Sequence, residues 1–492
     1  MYDALTLTYT LGGVVITQDY LDVHDLDGPE KTNTRSIVTS IYTIGCFLGA
    51  LLAFSIGEKL GRKRTVIIGT TIMTVGAILQ ASSFSIPHMI VGRIVTGIGN
   101  GINTATAPVW QTETSKVSNR GKLVVFELSM NIFGFMLICK SAAPPSLEAS
   151  PHIIIWTQVN RMLIKQGTVS SPGRVVNRWL LAHGQSDEAT LILADLEDKP
   201  VDDLVVVAER QEIVFSIEYE RKNAIRWRDL LRGRTVAGTN TVRRLVLGAG
   251  TQAFQQFGGI NVMSYYLPTL LIESVGLADK MARLIAALAS VSYLLASLIA
   301  APMVERFGRR AMMLVSTLIQ LVCFILITVL IYFTQKPGYP SQTEVAKATV
   351  VWFFIYYIGF GLGMLGIPWL YPTEINSLPM RTKGAAAATM TNWLTNFLVV
   401  EVTPSGIQNL GWKFYVIWAV VNAVALPIIW AVFPETANRT LEDLDAYYRE
   451  NPPLIVIKDK DATSVRRPQK FVAGRNLDIE EVTGTGLKKG ST

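Results

Sequence analysis

The feature that most constrains this chain is the blocking of its apolar residues. Ten long runs stand out, at about 36–57, 65–87, 94–112, 123–139, 245–272, 284–304, 311–335, 348–373, 384–400 and 414–434. A helix needs ~20 mostly apolar residues to cross a ~30 Å hydrocarbon core, with ~17 near the lower limit. One or two such runs could be core helices, but ten cannot. A spanning backbone must also satisfy its own hydrogen bonds. The sequence therefore predicts an all-α polytopic membrane protein. Charged residues make up 17% of the chain, against about 25% in soluble domains.

Charge is confined to the seams between runs. "GEKLGRKR", 57–64, carries Glu58, Lys59, Arg62, Lys63 and Arg64. Other basic seams lie at 116–122, 305–310 and 381–383, and 161–243 is also basic, whereas 19–30 is acidic. Lys and Arg accumulate in cytoplasmic loops, so the net charge of +7 sets topology and implies no nucleic acid. Cys46, Cys139 and Cys323 all fall inside apolar runs, and neither a disulfide framework nor a metal spacing follows. The four histidines are scattered. No catalytic constellation or cofactor loop is arguable: "GIGNG", 97–101, lies inside an apolar span without a preceding strand. Its glycines suit close helix packing. The reading is of a non-enzyme with no cofactor, and of a monomer in the bilayer.

Alternation of the runs fails in one region. The stretch 140–244 must cross once more, yet its best apolar segment is "HIIIWTQV", 152–159, too short to span. The first span, 4–18, is also short, and no removable signal peptide precedes it. The predicted organisation is a first half over 1–140 with a truncated first helix, and an abnormal sixth-helix region plus cytoplasmic amphipathic helices over 141–243. A second half covers 244–440, and a cytoplasmic tail over 441–492 is largely disordered, particularly past Pro452.

The seams repeat. "VERFGRRA", 304–311, answers "GEKLGRKR": Glu58 with Arg62, Glu305 with Arg309. Glu113 precedes Arg120 by seven residues, and Glu374 precedes Arg381 by seven. The offsets between copies, 58 to 305 and 113 to 374, are 247 and 261 residues. This spacing marks an internal duplication of a roughly six-helix unit, a known transporter plan with the site between the repeats. Carboxylate–guanidinium pairs are geometrically specific, and these eight residues read as a gate joining the halves.

Several stretches in order resemble the sugar porter branch of the major facilitator superfamily in its fungal form: "GEKLGRK", "GRIVTGIGNG", "ETSKVSNRGK", "QQFGGINVMSYY", "VERFGRR", "GIPWLYPTEI", "TNWLTNF" and "PETANRTLEDL". The resemblance covers roughly 13–137 and 177–448. It implies two six-helix halves, here with 10–11 credible spans. It also implies transport of a monosaccharide or polyol by alternating access, often with a proton, at the plasma membrane rather than the vacuole. By position it carries the sugar ligands to Gln255, Gln256, Asn261, Trp369, Asn392, Trp393 and Asn396. Amides donate and accept to hydroxyls, and an indole offers a flat apolar face. The alternative for each amide is helix–helix glue. The pattern departs at Leu128 and Tyr293, where an amide is usual. For proton coupling, Arg93 matches the family's arginine, but the partner aspartate position falls on Leu7 and the nearest candidate is Asp3. Glu127 and Glu401 are the alternative intramembrane carboxylates. The scrambled lead of "SPGRVVNRWLLAHG" raises two further readings: a mis-joined exon boundary near 138–177, or an inactive chain. A non-transporting sugar sensor is the remaining alternative.

Overall fold

The structure is a computed structural model. It describes residues 31–114, 120–141, 186–197, 240–377, 380–439 and 441–468, with His24, Gly28 and a few positions between 180 and 218. All regular elements among the described residues are helices. The first half contributes α1 (Thr32–Leu60), α2 (Arg62–Ala81), α3 (Ile86–Thr114) and α4 (Arg120–Ser141), followed by the short α5 (Ser186–Glu197). The second half contributes α6 (Thr241–Phe257), α7 (Ile260–Glu273), α8 (Asp279–Phe307), α9 (Arg309–Gln335), α10 (Gln342–Leu362), α11 (Ile367–Ile375), α12 (Arg381–Leu410) and α13 (Lys413–Val432). Two further helices, α14 (Leu441–Arg449) and α15 (Lys460–Thr463), complete it. The short first helix, Asp3 and the missing crossing between 142 and 179 lie outside the described residues.

Among the described residues, six stretches are long and apolar enough to cross a membrane: Asn33–Gly57, Arg62–Ala81, Asp279–Phe307, Arg309–Gln335, Gln342–Ile375 and Lys413–Val432. The other four apolar runs are helical too, as α3, α4, α6 with α7, and α12. Three of these carry buried polar side chains along one side: Asn100, Asn103 and Thr104 on α3, Gln252 and Gln255 on α6, Asn392 and Asn396 on α12. Such polarity is costly unless it faces protein or a cavity. These helices therefore form the centre of the bundle and the more apolar ones its flanks.

Close packing in lipid needs small residues, because lipid tails offer no hydrophobic drive between helices. Gly45 and Gly49 of α1 meet Gly97 and Gly101 of α3, and a Cβ on any of the four would overlap the facing backbone. The glycines of "GIGNG" thus act as a packing seam.

Two spans are broken. Gly258 and Gly259 separate α6 from α7, with Gly259 at φ +89°. Residues 363–366 separate α10 from α11. Broken helices in a membrane must have their freed groups satisfied by neighbours. Tyr356 Oη donates to the Gly258 carbonyl at 2.8 Å, and Gln255 Nε2 donates to Met364 O at 2.6 Å and Leu365 O at 3.0 Å.

The halves meet along two seams, α1 against α12 and α4 against α8. The second is apolar: Val124, Val125, Leu128 and Ile132 of α4 share a core with residues of α8 such as Ala289, Tyr293 and Ala300.

The chain past Pro452 differs from its reading as disordered. Residues to 468 fold back under the second half. Val456 N donates to Ala431 O, and Glu435 N to Ala462 O, both at 2.8 Å. Arg243 donates to the carbonyls of Pro452 and Pro453 at 2.7 and 2.8 Å. Arg467 pairs with Asp443 through two contacts of 2.7 and 2.8 Å. The composition of the segment is polar, but its arginine partners supply the order that apolar burial alone would not.

Candidate functional site: a central amide cluster and an ionic knot

α6 carries Gln252, Gln255 and Gln256 at i, i+3 and i+4, which places them on one helix face. Asn392 of α12 reaches across with both amide hydrogens, to Gln252 Oε1 at 2.6 Å and Gln255 Oε1 at 2.9 Å. Gln252 Nε2 then donates to Pro368 O at 2.7 Å, next to Trp369 on α11. Gln252 was not among the residues singled out from sequence. Its position three before Gln255 was the available signal. Gln256 and Asn261 form a separate pair across the α6–α7 break, Asn261 donating to Gln256.

Asn396, one turn beyond Asn392, is different. It is fully buried, and neither its amide nitrogen nor its oxygen has a partner. Asn100 Oδ1 on α3 and the Trp418 indole N–H on α13 are likewise buried and unpaired. An unpaired buried amide costs free energy comparable to a lost hydrogen bond, so it invites a ligand with hydroxyls.

Trp393 points elsewhere. Its indole N–H donates to Thr104 Oγ1 of α3 at 3.2 Å, and its ring meets Tyr42 of α1 edge-on at 6.3 Å. It sits in the seam between halves. Trp369 is buried beside the amide cluster. At the two departing positions, Leu128 is fully buried and Tyr293 packs on Tyr357 at 5.3 Å.

The repeated seams gather at one end of the bundle. Gly61 and Gly308 have nearly the same backbone, φ +75°, ψ 161° and φ +83°, ψ 167°. Positive φ suits glycine, so the two copies share one bend. In the second copy, Arg309 is wrapped by carboxylates. It contacts Glu305 Oε2 at 2.7 Å and Glu374 Oε1 at 2.7 Å and Oε2 at 3.0 Å. Glu374 Oε2 also accepts from Thr436 at 2.6 Å. Glu435 caps the start of α9, accepting from the backbone N–H groups of Arg309 at 2.9 Å and Arg310 at 3.0 Å. A carboxylate suits a helix N-terminus.

The motif spacing paired Glu374 with Arg381, but the described partner of Glu374 is Arg309. This knot is internal to the second half. At this end the halves are joined by bonds of another kind, among them Gly121 N to Glu305 Oε1 at 2.8 Å and Arg62 Nη2 to Thr382 Oγ1 at 2.7 Å. The side chains of Glu58, Glu113 and Arg120 lie outside the described residues. Arg93 is buried and donates to the carbonyls of Val38 and Thr39, the latter at 3.0 Å.

A family model described as "Sugar (and other) transporter" matches residues 7–141 and 176–448. The chain belongs to that family. This transporter is 55% identical to the MFS-type transporter oryC of Aspergillus oryzae, over 97% of the chain and 88% of the relative. It is 32% identical to the sugar transporter STL1 of Saccharomyces cerevisiae, over 85% and 73%. In fold, the transporter is similar to the proton:xylose symporter XylE bound to 6-bromo-6-deoxy-D-glucose, with TM-score 0.73 and 24% identity over 91% of this chain and 99% of that one. It is an integral, multi-pass membrane transporter with the major facilitator fold.

Proposed function

We propose that this transporter carries a monosaccharide or related polyol by alternating access, in symport with a proton. The observation that carries the cargo assignment is the unpaired amide of Asn396 above the Asn392–Gln252–Gln255 cluster. A hydroxylated ring bound there gains partners for groups that have none, and Trp369 gives its apolar face a surface. The relatives' printed substrates support the reading: one is a sugar transporter and the fold neighbour a xylose symporter. In this scheme the basic end is cytoplasmic, and its cross-half bonds hold the inner gate closed. The protein acts as a monomer at the plasma membrane.

The test is uptake of labelled sugars by cells lacking hexose carriers, with and without a proton uncoupler. Uptake that collapses with the uncoupler is expected. Zero uptake despite surface expression removes the sugar assignment, and uptake indifferent to the uncoupler removes the proton.

A further inference from the structure

An acidic side chain inside a membrane span is costly and is retained for a purpose. Glu401 lies on α12 nine residues beyond Asn392, about 13 Å along the helix axis and away from the basic end. It is partly buried. Ser40 of α1 is fully buried and donates its hydroxyl to Glu401 Oε2 at 2.5 Å. That bond crosses from one half to the other. At the basic end Arg62, the first residue of α2 just past the end of α1, donates to Thr382 of α12. The α1–α12 seam is therefore flanked by a cross-half bond at each end.

A cation is fixed beside the outer tie. Arg93 of α3 is anchored on the carbonyls of Val38 and Thr39, the two residues before Ser40. Tyr266 of α7 donates to Val400 O at 3.2 Å and lies within electrostatic reach of both Glu401 and Arg93. The other charged groups facing this region among the described residues stand further out. Arg35 of α1 donates to Gly28 O at 2.8 Å and is in electrostatic reach of Glu273 of α7. Lys413, at the start of α13, lies against Trp412. The charged and titratable groups of α6 and α11, Arg243 and Arg244 on the one and Tyr371 and Glu374 on the other, stand at the opposite, basic end of the bundle.

We propose that Glu401 is a proton-binding site of this transporter, ionised when latched to Ser40 across the seam and released from that latch when protonated. The proton adds to a carboxylate oxygen, forming an O–H bond. The carboxyl group then no longer needs the Ser40 donor, and the outer end of the seam is free to part. Proton occupancy at one point thus biases which side opens. The inference builds on the transport reading but concerns a residue that the sugar site does not use.

The test is infrared difference spectroscopy of the purified protein in lipid nanodiscs, between acidic and alkaline buffer. A carboxyl C=O band is expected that is absent from Glu401→Gln and restored in Glu401→Asp. Ser40→Ala removes the donor across the seam and is expected to shift the stretching band of the ionised carboxylate. In reconstituted vesicles, sugar uptake by Glu401→Gln loses its dependence on external pH. Identical difference spectra for the wild type and Glu401→Gln overturn the proposal, as does an unchanged pH profile of uptake. If the band is present and no form takes up sugar, the proton site stands and the cargo assignment fails.

Discussion

At the scale of single residues, the central amides divide into two physical kinds. Asn392 is built into the protein, because its hydrogens complete Gln252 and Gln255. Asn396 has nothing to complete. Asn392→Ala leaves two buried carbonyl oxygens without donors, at about 1–3 kcal/mol each, so the expected outcome is a lower melting temperature in detergent. Asn396→Ala is expected to leave the melting temperature within a degree or two and to weaken sugar binding about tenfold, the worth of one hydrogen bond. Thermal unfolding and binding isotherms on both variants check the division. The residue types were legible in sequence, since amides and indoles inside apolar runs are conspicuous. Their orientation was not. Asn392 and Trp393 are adjacent, yet one turns to α6 and the other to α3, because neighbours on a helix point about 100° apart. Which amides bond each other depends on the packing of α6, α11 and α12, which no local pattern reports.

At the scale of elements, two glycine devices carry most of the geometry. The reciprocal glycines of α1 and α3 leave no room for side chains. Gly101→Leu is expected to abolish recovery of monodisperse protein, because the two backbones cannot separate without loosening the whole first half. Gly308 combines positive φ with a Cβ position occupied by the Glu435 carboxylate. Gly308→Ala is expected to destabilise by about 1–3 kcal/mol and to disturb the α9 cap, read as faster loss of folded protein on heating. The apolar runs announced the helices, and the repeated Glu–Gly–Arg pattern announced the duplication, while the bends themselves came only with the structure. The break in α6–α7 was visible as "FGG". The break at 363–366 was not separable from the apolar run around it, since Gly and Leu there suit either a helix or its interruption. The ordered tail was hidden for a related reason. Its polar composition resembles disorder, and the Arg243, Arg439 and Arg467 partners that hold it are remote in sequence.

At the scale of the whole molecule, the described bonds that tie the halves across the basic end include Arg62 to Thr382 and Gly121 to Glu305. Removing the first with Arg62→Ala is expected to raise the accessibility of cysteines placed along the basic end of α12 severalfold, measured by thiol labelling from that side. Arg309→Leu strands Glu305 and Glu374 without their shared cation and is expected to cost about 3–5 kcal/mol, enough to lose the folded protein. The two-half plan was legible because duplication copies spacing as well as residues. The knot around Arg309 was only partly so, since Glu435 and Thr436 lie outside the repeated charge motifs. That feature has a consequence for biosynthesis. The bend at Gly308 can be drafted as soon as its own helices leave the ribosome, but its carboxylate cap is encoded 126 residues after Arg309. The second half therefore cannot lock until translation is nearly finished. A chain cut short before Glu435 would insert most of its helices and still lack the fastening that holds them.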